Sequence, residues 1–136
     1  MSVWVHQIET ILPGFSFSQE QASLKMQEWF KDERTRRIIR VLYRQSGIAK
    51  RHSVIANFDG NGADSFFRTG PDALPRGPGT AARNDIFARE SRSLSVALAR
   101  KVLDRCPGFG PGDVTHVVTA SCTGFYNPGP DYYIVR

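Results

Sequence analysis

The sequence predicts an α/β fold, in which strands and amphipathic helices alternate along the chain. Residues 3–11 and 114–120 are rich in β-branched side chains, as strands are. Three segments between them place apolar residues three or four positions apart, which is the periodicity of a helix packed on a core. The predicted order is β, α, α, β, α, β, followed by a helix that begins at Pro130 and has Asp131 in its first turn.

The first predicted helix begins after Ser18, because Gln21 lies three residues later and completes a capping-box pattern. An apolar stripe at helical spacing follows and predicts the side that faces the core. The stripe consists of Ala22, Met26, Trp29 and Phe30.

The second predicted helix covers residues 32–45 and ends before Gly47. One face is apolar, with Ile38, Ile39 and Leu42. The opposite face is basic, and it consists of Arg34, Arg36, Arg37, Arg40 and Arg44.

The rest of the chain alternates in the same way. Residues 53–59 predict a short strand, and residues 60–79 a Gly/Pro-rich loop whose Phe66 and Phe67 either cover a pocket entrance or pack internally. Residues 80–105 predict a long helix, and residues 114–120 a buried strand. The core face of the long helix consists of Phe87, Ser91, Leu94, Leu98 and Val102.

Composition limits the classes of function. The net charge of +5 suits an anionic partner, although a basic protein without such a partner has the same composition. Cys106 and Cys122 form no CxxC pattern, and the three histidines lack ligand spacing, so we expect free thiols, no metal site and a cytoplasmic location. We expect no membrane span, because the longest uncharged stretch, residues 114–130, is full of Thr, Gly, Pro and Asn.

Cys122 is the residue whose role decides whether the chain catalyses. A nucleophilic thiol needs a helix N-terminus, a cation or a base beside it. The next helix cannot begin before the turn formed by Pro128 and Pro130, and His116 lies roughly 20 Å away along an extended strand. Cys122 is therefore either a small thiol that lines a cleft or a nucleophile whose base comes from elsewhere in the fold.

Three stretches together resemble type III polyketide synthases, the chalcone/stilbene synthase family of the thiolase-like superfamily. They are SGIAKRHSV at 46–54, PGTAARNDIFARES at 78–91 and THVVTASCTGFYNPGPD at 115–131. The resemblance extends over about residues 34–136, and the last stretch is the most specific. It implies the incomplete N-terminal half of a thiolase-like αβαβα layered fold. Residues 1–136 are then expected to be a single, truncated domain.

The resemblance also implies a chemistry. Members of the family load an acyl group from acyl-CoA onto a cysteine and extend it by decarboxylative condensation with malonyl-CoA. They hold no permanently bound cofactor and act as homodimers. Their catalytic Cys, His and Asn correspond to positions beyond residue 136, so the resemblance implies no catalytic residue in this chain and no activity for the chain alone.

Site residues follow from the same resemblance. Cys122, Thr123, Gly124 and Phe125 match positions that line the substrate pocket. Asn127 and Pro128 match the turn that reaches across the dimer. The region that binds the CoA phosphates corresponds to Arg37, Arg40, Arg44, Lys50 and Arg51, with the first three on one helical face. A solvated basic face is the other interpretation of these residues.

Other functions remain open at this point. The chain is alternatively a non-catalytic CoA-binding or dimerising module, a portion that needs a separate C-terminal fragment, or a stand-alone thiol acyltransferase that uses Cys122. A nucleic-acid role is not expected, because no motif combines stacking aromatic residues with basic ones.

Overall fold

The computed structural model describes residues 2–56, 66–67 and 77–136. They form two compact units: the α3 unit, made of Met1–Ile11 and Gly79–Arg136, and the α2 unit, made of Leu12–Pro78. The mixed α/β content is as predicted, whereas the thiolase-like layering stays a prediction. In chain order the elements are β1 (Phe15–Ser18), α1 (Gln19–Glu28), α2 (Glu33–Gln45), β2 (Lys50–Ser53), α3 (Thr80–Asp104), a 3₁₀ turn (Pro111–Asp113) and α4 (Pro130–Val135).

In the α2 unit, β1 pairs antiparallel with β2, with Phe15 opposite Ser53 and Ser18 opposite Lys50. The predicted strand at residues 53–59 is therefore displaced towards the N-terminus, and its last three residues lie outside the described part. The four residues of β1 are too few to give a clear alternating pattern, and β2 is mostly polar. Their pairing is fixed by backbone hydrogen bonds, which side-chain patterns do not reveal.

Helix α1 begins as predicted. The Gln21 N–H donates to Ser18 Oγ at 3.0 Å, and the Ser18 N–H donates to Gln21 Oε1 at 2.9 Å. The predicted apolar stripe is wrong beyond Met26, because the helix ends at Glu28 and leaves Trp29 and Phe30 exposed. The buried side is mostly polar instead, and it consists of Gln19, Ala22, Ser23 and Gln27.

Helix α2 confirms the second predicted helix. The Asp32 carboxylate caps it by accepting hydrogen bonds from the Thr35 hydroxyl and backbone N–H and from the Arg34 N–H. These bonds, those from Thr35 above all, lower the pKa of Asp32. Gly47 has a φ of 69°, a left-handed conformation that favours glycine and ends the helix.

In the α3 unit the long predicted helix is confirmed as α3, whose 25 residues extend for about 37 Å. Helix α4 begins at Pro130 with Asp131 in its first turn, as predicted, and packs on α3. The 3₁₀ turn lies between α3 and residues 114–121, which have no regular secondary structure.

The predicted strands at residues 3–11 and 114–120 have no regular secondary structure and form no ladder with any residue that the structure describes. Val3 and Val118 are each 91% exposed, so the prediction that the second segment is buried is wrong. A β-branched run favours an extended backbone, but only a paired neighbour turns it into a strand.

Glu9 attaches the N-terminal segment to α3. Its carboxylate, 8% exposed, lies 3.1 Å from Lys101 Nζ and 3.4 Å from Arg105 Nη1. Lys101 Nζ also donates to the Thr10 carbonyl at 2.8 Å. The hydrogen bond from Lys101 holds the pKa of Glu9 below its ordinary value of 4.5, with smaller contributions from Gln7 and Arg105.

We expect Glu9→Gln to lower the midpoint of thermal unfolding at pH 7 by a few degrees, because Lys101 and Arg105 lose their counter-charge. The pKa of Glu9 is lowered in the folded chain, so its stabilising effect is complete above about pH 4.5 and is lost as the pH falls through the folded pKa. Unfolding followed by circular dichroism from pH 7 to pH 3 tests this expectation.

Asp104→Asn is the matched control, since Asp104 is exposed, near the same end of α3, and has no ion pair with a described residue. Equal pH profiles for the wild type and Glu9→Gln would contradict the assignment of Glu9.

Candidate functional site

In the α3 unit a groove lies between α3 and residues 118–121, and it is referred to below as the α3 groove. Its volume is about 350 Å³, and a cavity of about 230 Å³ adjoins it and shares Phe87 and Pro130 in its wall. The α3 side supplies the apolar Phe87, Leu98 and Ala99 together with two hydroxyls, Ser91 and Ser95. An apolar wall with a few polar groups is the usual lining of a small-molecule site.

The SCTGF turn, residues 121–125, lines the cavity that adjoins the groove. Gly124 and Phe125 line the smaller cavity, together with residues 119–121. The Phe125 N–H donates to the Asn84 side-chain oxygen at 3.1 Å, which ties the turn to α3. Cys122 and Thr123 are exposed and are not part of either lining.

Gly124 lies directly against the ring of Phe87. A Cβ atom at this position would overlap three atoms of that ring, so only glycine lets the turn approach α3 this closely. The resemblance assigns Gly124 to a pocket, and the structure adds a steric reason for glycine there.

An aromatic cluster holds the residues after the turn. The Tyr126 ring lies 6.0 Å from that of Phe87 and 6.4 Å from that of Tyr133, and the Ser91 hydroxyl donates to the Tyr126 hydroxyl at 3.3 Å. The Arg92 guanidinium lies 4.1 Å above the Tyr133 ring, a cation–π contact. From the sequence alone, Phe87 and Ser91 are expected on the core face of the helix and Arg92 on a solvated or internally paired face, whereas Tyr126 and Tyr133 have no predicted role.

The surroundings of Cys122 offer its thiol no activation within the described part of the chain. The thiol is free and exposed and has no hydrogen-bond or charged partner there. Helix α4 begins only at Pro130, and His116 pairs with the neighbouring Thr115 hydroxyl at 2.9 Å. The described residues also contain no cluster of His, Cys, Asp or Glu able to hold a metal ion.

Asn127 and Pro128, which the resemblance assigns to a dimer contact, are both exposed between the aromatic cluster and α4. Their side chains have no partner among the residues that the structure describes. This placement leaves them accessible to another chain.

The basic residues assigned to CoA belong to the α2 unit, and Arg37, Arg40 and Arg44 share a face of α2 as predicted. Arg40 and Arg51 are already bound inside the unit. Arg40 donates to Gln27 Oε1 at 3.1 Å, and Arg51 donates to Gln19 Oε1 at 2.7 Å.

The two glutamines are buried, and each also donates through its amide nitrogen. Gln27 donates to the Ser23 carbonyl at 3.1 Å, and Gln19 donates to the Tyr43 carbonyl at 3.0 Å. The sequence pattern does not indicate that either glutamine is buried, because a polar residue beside an apolar stripe is ordinarily assigned to solvent. Among the basic residues assigned to CoA, the side chains of Arg37, Arg44 and Lys50 remain without a described partner.

Gly124→Ala is expected to lower the free energy of unfolding by about 2 kcal/mol, because the added methyl group displaces the turn or the Phe87 ring. Urea unfolding followed by circular dichroism measures the change. Gly112→Ala is the control, since no atom lies within 4 Å of a Cβ added there. Combining Gly124→Ala with Phe87→Leu should recover part of the loss, and equal effects at positions 124 and 112 would contradict the steric argument.

Comparison with known proteins assigns no family. No family model matches the chain, and no curated protein sequence matches it significantly. Within the described ranges, every helix is too short or too polar to cross a bilayer. Any function proposed for the chain therefore depends on its own residues and geometry.

Proposed function

We propose that this chain is the N-terminal portion of a type III polyketide synthase, an acyltransferase that condenses malonyl-CoA with an acyl-CoA starter. The observation that carries the proposal is the α3 groove together with its adjoining cavity, which the SCTGF turn lines with Gly124 against Phe87. The resemblance assigns that turn to the acyl pocket, and the fold gives it a cavity to line.

The groove suits an acyl chain better than a polar metabolite. Leu98, Ala99 and Ile134 give it apolar sides, and burial of an acyl chain against them is favourable by about 0.8 kcal/mol per methylene. The hydroxyls of Ser91 and Ser95 are the polar groups on the α3 side. Because they already donate to the Tyr126 hydroxyl and the Ser91 carbonyl, they are able to accept a hydrogen bond from a hydroxyl of the acyl group.

In this proposal the chain binds and orients the acyl group, and the bond-making residues come from beyond residue 136. The groove holds the starter while its thioester carbonyl is attacked by the family's cysteine, with coenzyme A leaving as the thiol. Decarboxylation of malonyl-CoA then supplies the carbanion that extends the chain. Cys122 has no part in either step, which agrees with its unactivated and exposed position.

Coenzyme A recognition is assigned to the basic residues that keep free guanidinium or ammonium groups. Arg37 and Arg44 lie on one face of α2 and have no described partner, so they are able to bind phosphate oxygens. Arg40 and Arg51 support this surface through their hydrogen bonds to the buried glutamines. The exposed Asn127 and Pro128 are the proposed contact with a second chain in a homodimer, and the free thiols fit a cytoplasmic compartment.

A second candidate is a stand-alone thiol acyltransferase that uses Cys122. The exposure of the thiol favours it, because an acyl-CoA reaches an exposed sulfur without rearrangement. The lack of a neighbouring base or cation in the described part of the chain argues against it.

Filling the groove should weaken acyl-CoA binding. We expect Ala99→Phe to raise the Kd for a long-chain acyl-CoA about tenfold, equivalent to about 1.4 kcal/mol, because the new ring occupies the space of the acyl chain. Isothermal titration measures the Kd. Ala97→Phe is the matched control, since Ala97 is an exposed residue of α3 outside the groove lining. No measurable acyl-CoA binding, or equal Kd values for both variants, would remove the groove from the proposal.

Intact mass separates the two candidate functions. After incubation with acyl-CoA the chain is expected to stay at 15.2 kDa, because Cys122 lacks an activating group. The Cys122→Ala variant, run in parallel, identifies the site of any adduct. A gain of one acyl group that Cys122→Ala abolishes would establish the second candidate in place of the first.

A further inference from the structure

Helix α2 presents a surface that is both apolar and strongly basic. Ile38 and Leu42 are 49% and 62% exposed and lie one turn apart on the same face. Five arginines and a single glutamate give the 13 residues of α2 a net charge of +4. The half-buried Ile39 and Tyr43 lie on the adjacent face, so the exposed apolar pair is not the side that packs within the unit.

Only part of this positive charge is neutralised internally. Glu33 is the sole acid of α2, and it already lies 3.6 Å from Arg36 and 3.9 Å from Arg40. The side chains of Arg34, Arg37 and Arg44 have no partner among residues 2–56, 66–67 and 77–136. Three guanidinium groups are thus available next to an uncovered apolar pair.

We propose that α2 docks in the interface of an anionic phospholipid bilayer. Ile38 and Leu42 enter the boundary between headgroups and acyl chains, and Arg34, Arg37 and Arg44 bind lipid phosphates. Short amphipathic helices with a basic polar face bind membranes in this way, and each basic side chain near an anionic surface contributes about 1 kcal/mol. The surface belongs to the α2 unit. It shares Arg37 and Arg44 with the surface proposed for coenzyme A, whereas Ile38, Leu42 and Arg34 belong to this inference alone.

The charge pattern selects a bilayer over the other occupants of such a face. A second copy of α2 would bring two helices of charge +4 together, and Glu33 is already paired. An unstructured acidic polymer would neutralise the arginines but leave Ile38 and Leu42 in water. An anionic bilayer supplies both phosphates and an apolar layer within the reach of one helix.

The test uses the full 136-residue chain and vesicles sedimented from solution. Vesicles of phosphatidylcholine alone are compared with vesicles that contain about 30% phosphatidylserine, a composition with a negative surface potential. The chain is expected to sediment with the anionic vesicles and not with the neutral ones. Binding should weaken as ionic strength rises, because the Debye length falls from about 10 Å at 0.1 M to about 3 Å at 1 M.

Two double variants separate the charged contribution from the apolar one. Arg37→Gln with Arg44→Gln should weaken vesicle binding about 30-fold, from the loss of about 1 kcal/mol at each position. Ile38→Gln with Leu42→Gln should weaken it at least about tenfold, because both apolar contacts are lost. Glutamine keeps a high helix propensity, and circular dichroism checks that helicity is unchanged.

Control variants carry the same chemical changes at other surfaces. Arg89→Gln with Arg100→Gln removes two exposed arginines from α3, and Leu24→Gln removes a side chain of α1 that is 58% exposed. Both should bind vesicles within about twofold of the wild type, apart from the general effect of net charge.

Four outcomes would overturn the proposal. Equal binding to neutral and anionic vesicles would show that the arginines do not bind lipid phosphates. Unchanged vesicle binding by the Ile38→Gln, Leu42→Gln variant would show that the apolar pair does not enter the bilayer and that α2 presents only a solvated basic face. Equally tight binding to polyglutamate, lost in the same variants, would indicate an acidic polypeptide partner. A dimer in solution that Leu42→Gln dissociates would assign the face to a second copy of the chain.

Discussion

The geometry of the candidate site depends on the close approach of Gly124 to the ring of Phe87. That contact brings the turn after residues 114–121 onto α3, where the Phe125 N–H meets Asn84 and the Tyr126 ring meets Phe87. Without it the cavity beside the groove would lose part of its wall, and the aromatic cluster would lose its central ring. The cavity therefore requires a residue without a side chain at position 124. The overlap of a Cβ atom with the Phe87 ring would cost more free energy than the surrounding hydrogen bonds contribute.

The α2 unit depends on a different interaction, the hydrogen bonds of the buried side-chain amides of Gln19 and Gln27. Each accepts a hydrogen bond from an arginine through its oxygen and donates through its nitrogen, so both polar ends are satisfied in a buried place. These bonds use Arg40 and Arg51, whereas Arg37 and Arg44 have no side-chain partner in the part of the chain that the structure describes. The distinction matters for function, because an arginine that already donates to a glutamine is less available to a phosphate than one whose guanidinium N–H groups have no described partner.

The two proposals place an acyl chain in the α3 unit and phosphate groups on the α2 unit, and both concern lipid-like ligands. The α3 groove is apolar with a few hydroxyls, which suits an acyl chain. The exposed face of α2 combines Ile38 and Leu42 with arginines that have no partner among the described residues, which suits an anionic amphipathic surface. Coenzyme A phosphates and lipid phosphates share the same chemistry at Arg37 and Arg44, so the apolar pair is what distinguishes a bilayer from a soluble thioester.

The sequence by itself determined the helices of this protein, because their signals are local. The capping residues Ser18 and Asp32, the stop at Gly47 and the start at Pro130 act within one turn of the backbone. The resemblance also predicted a pocket at the turn formed by residues 121–125. Only the tertiary structure decided the strand pairing, the burial of two glutamines and the groove, since each needs a partner from a distant part of the chain. Local patterns state what a segment prefers, whereas pairing and burial depend on what the fold places beside it.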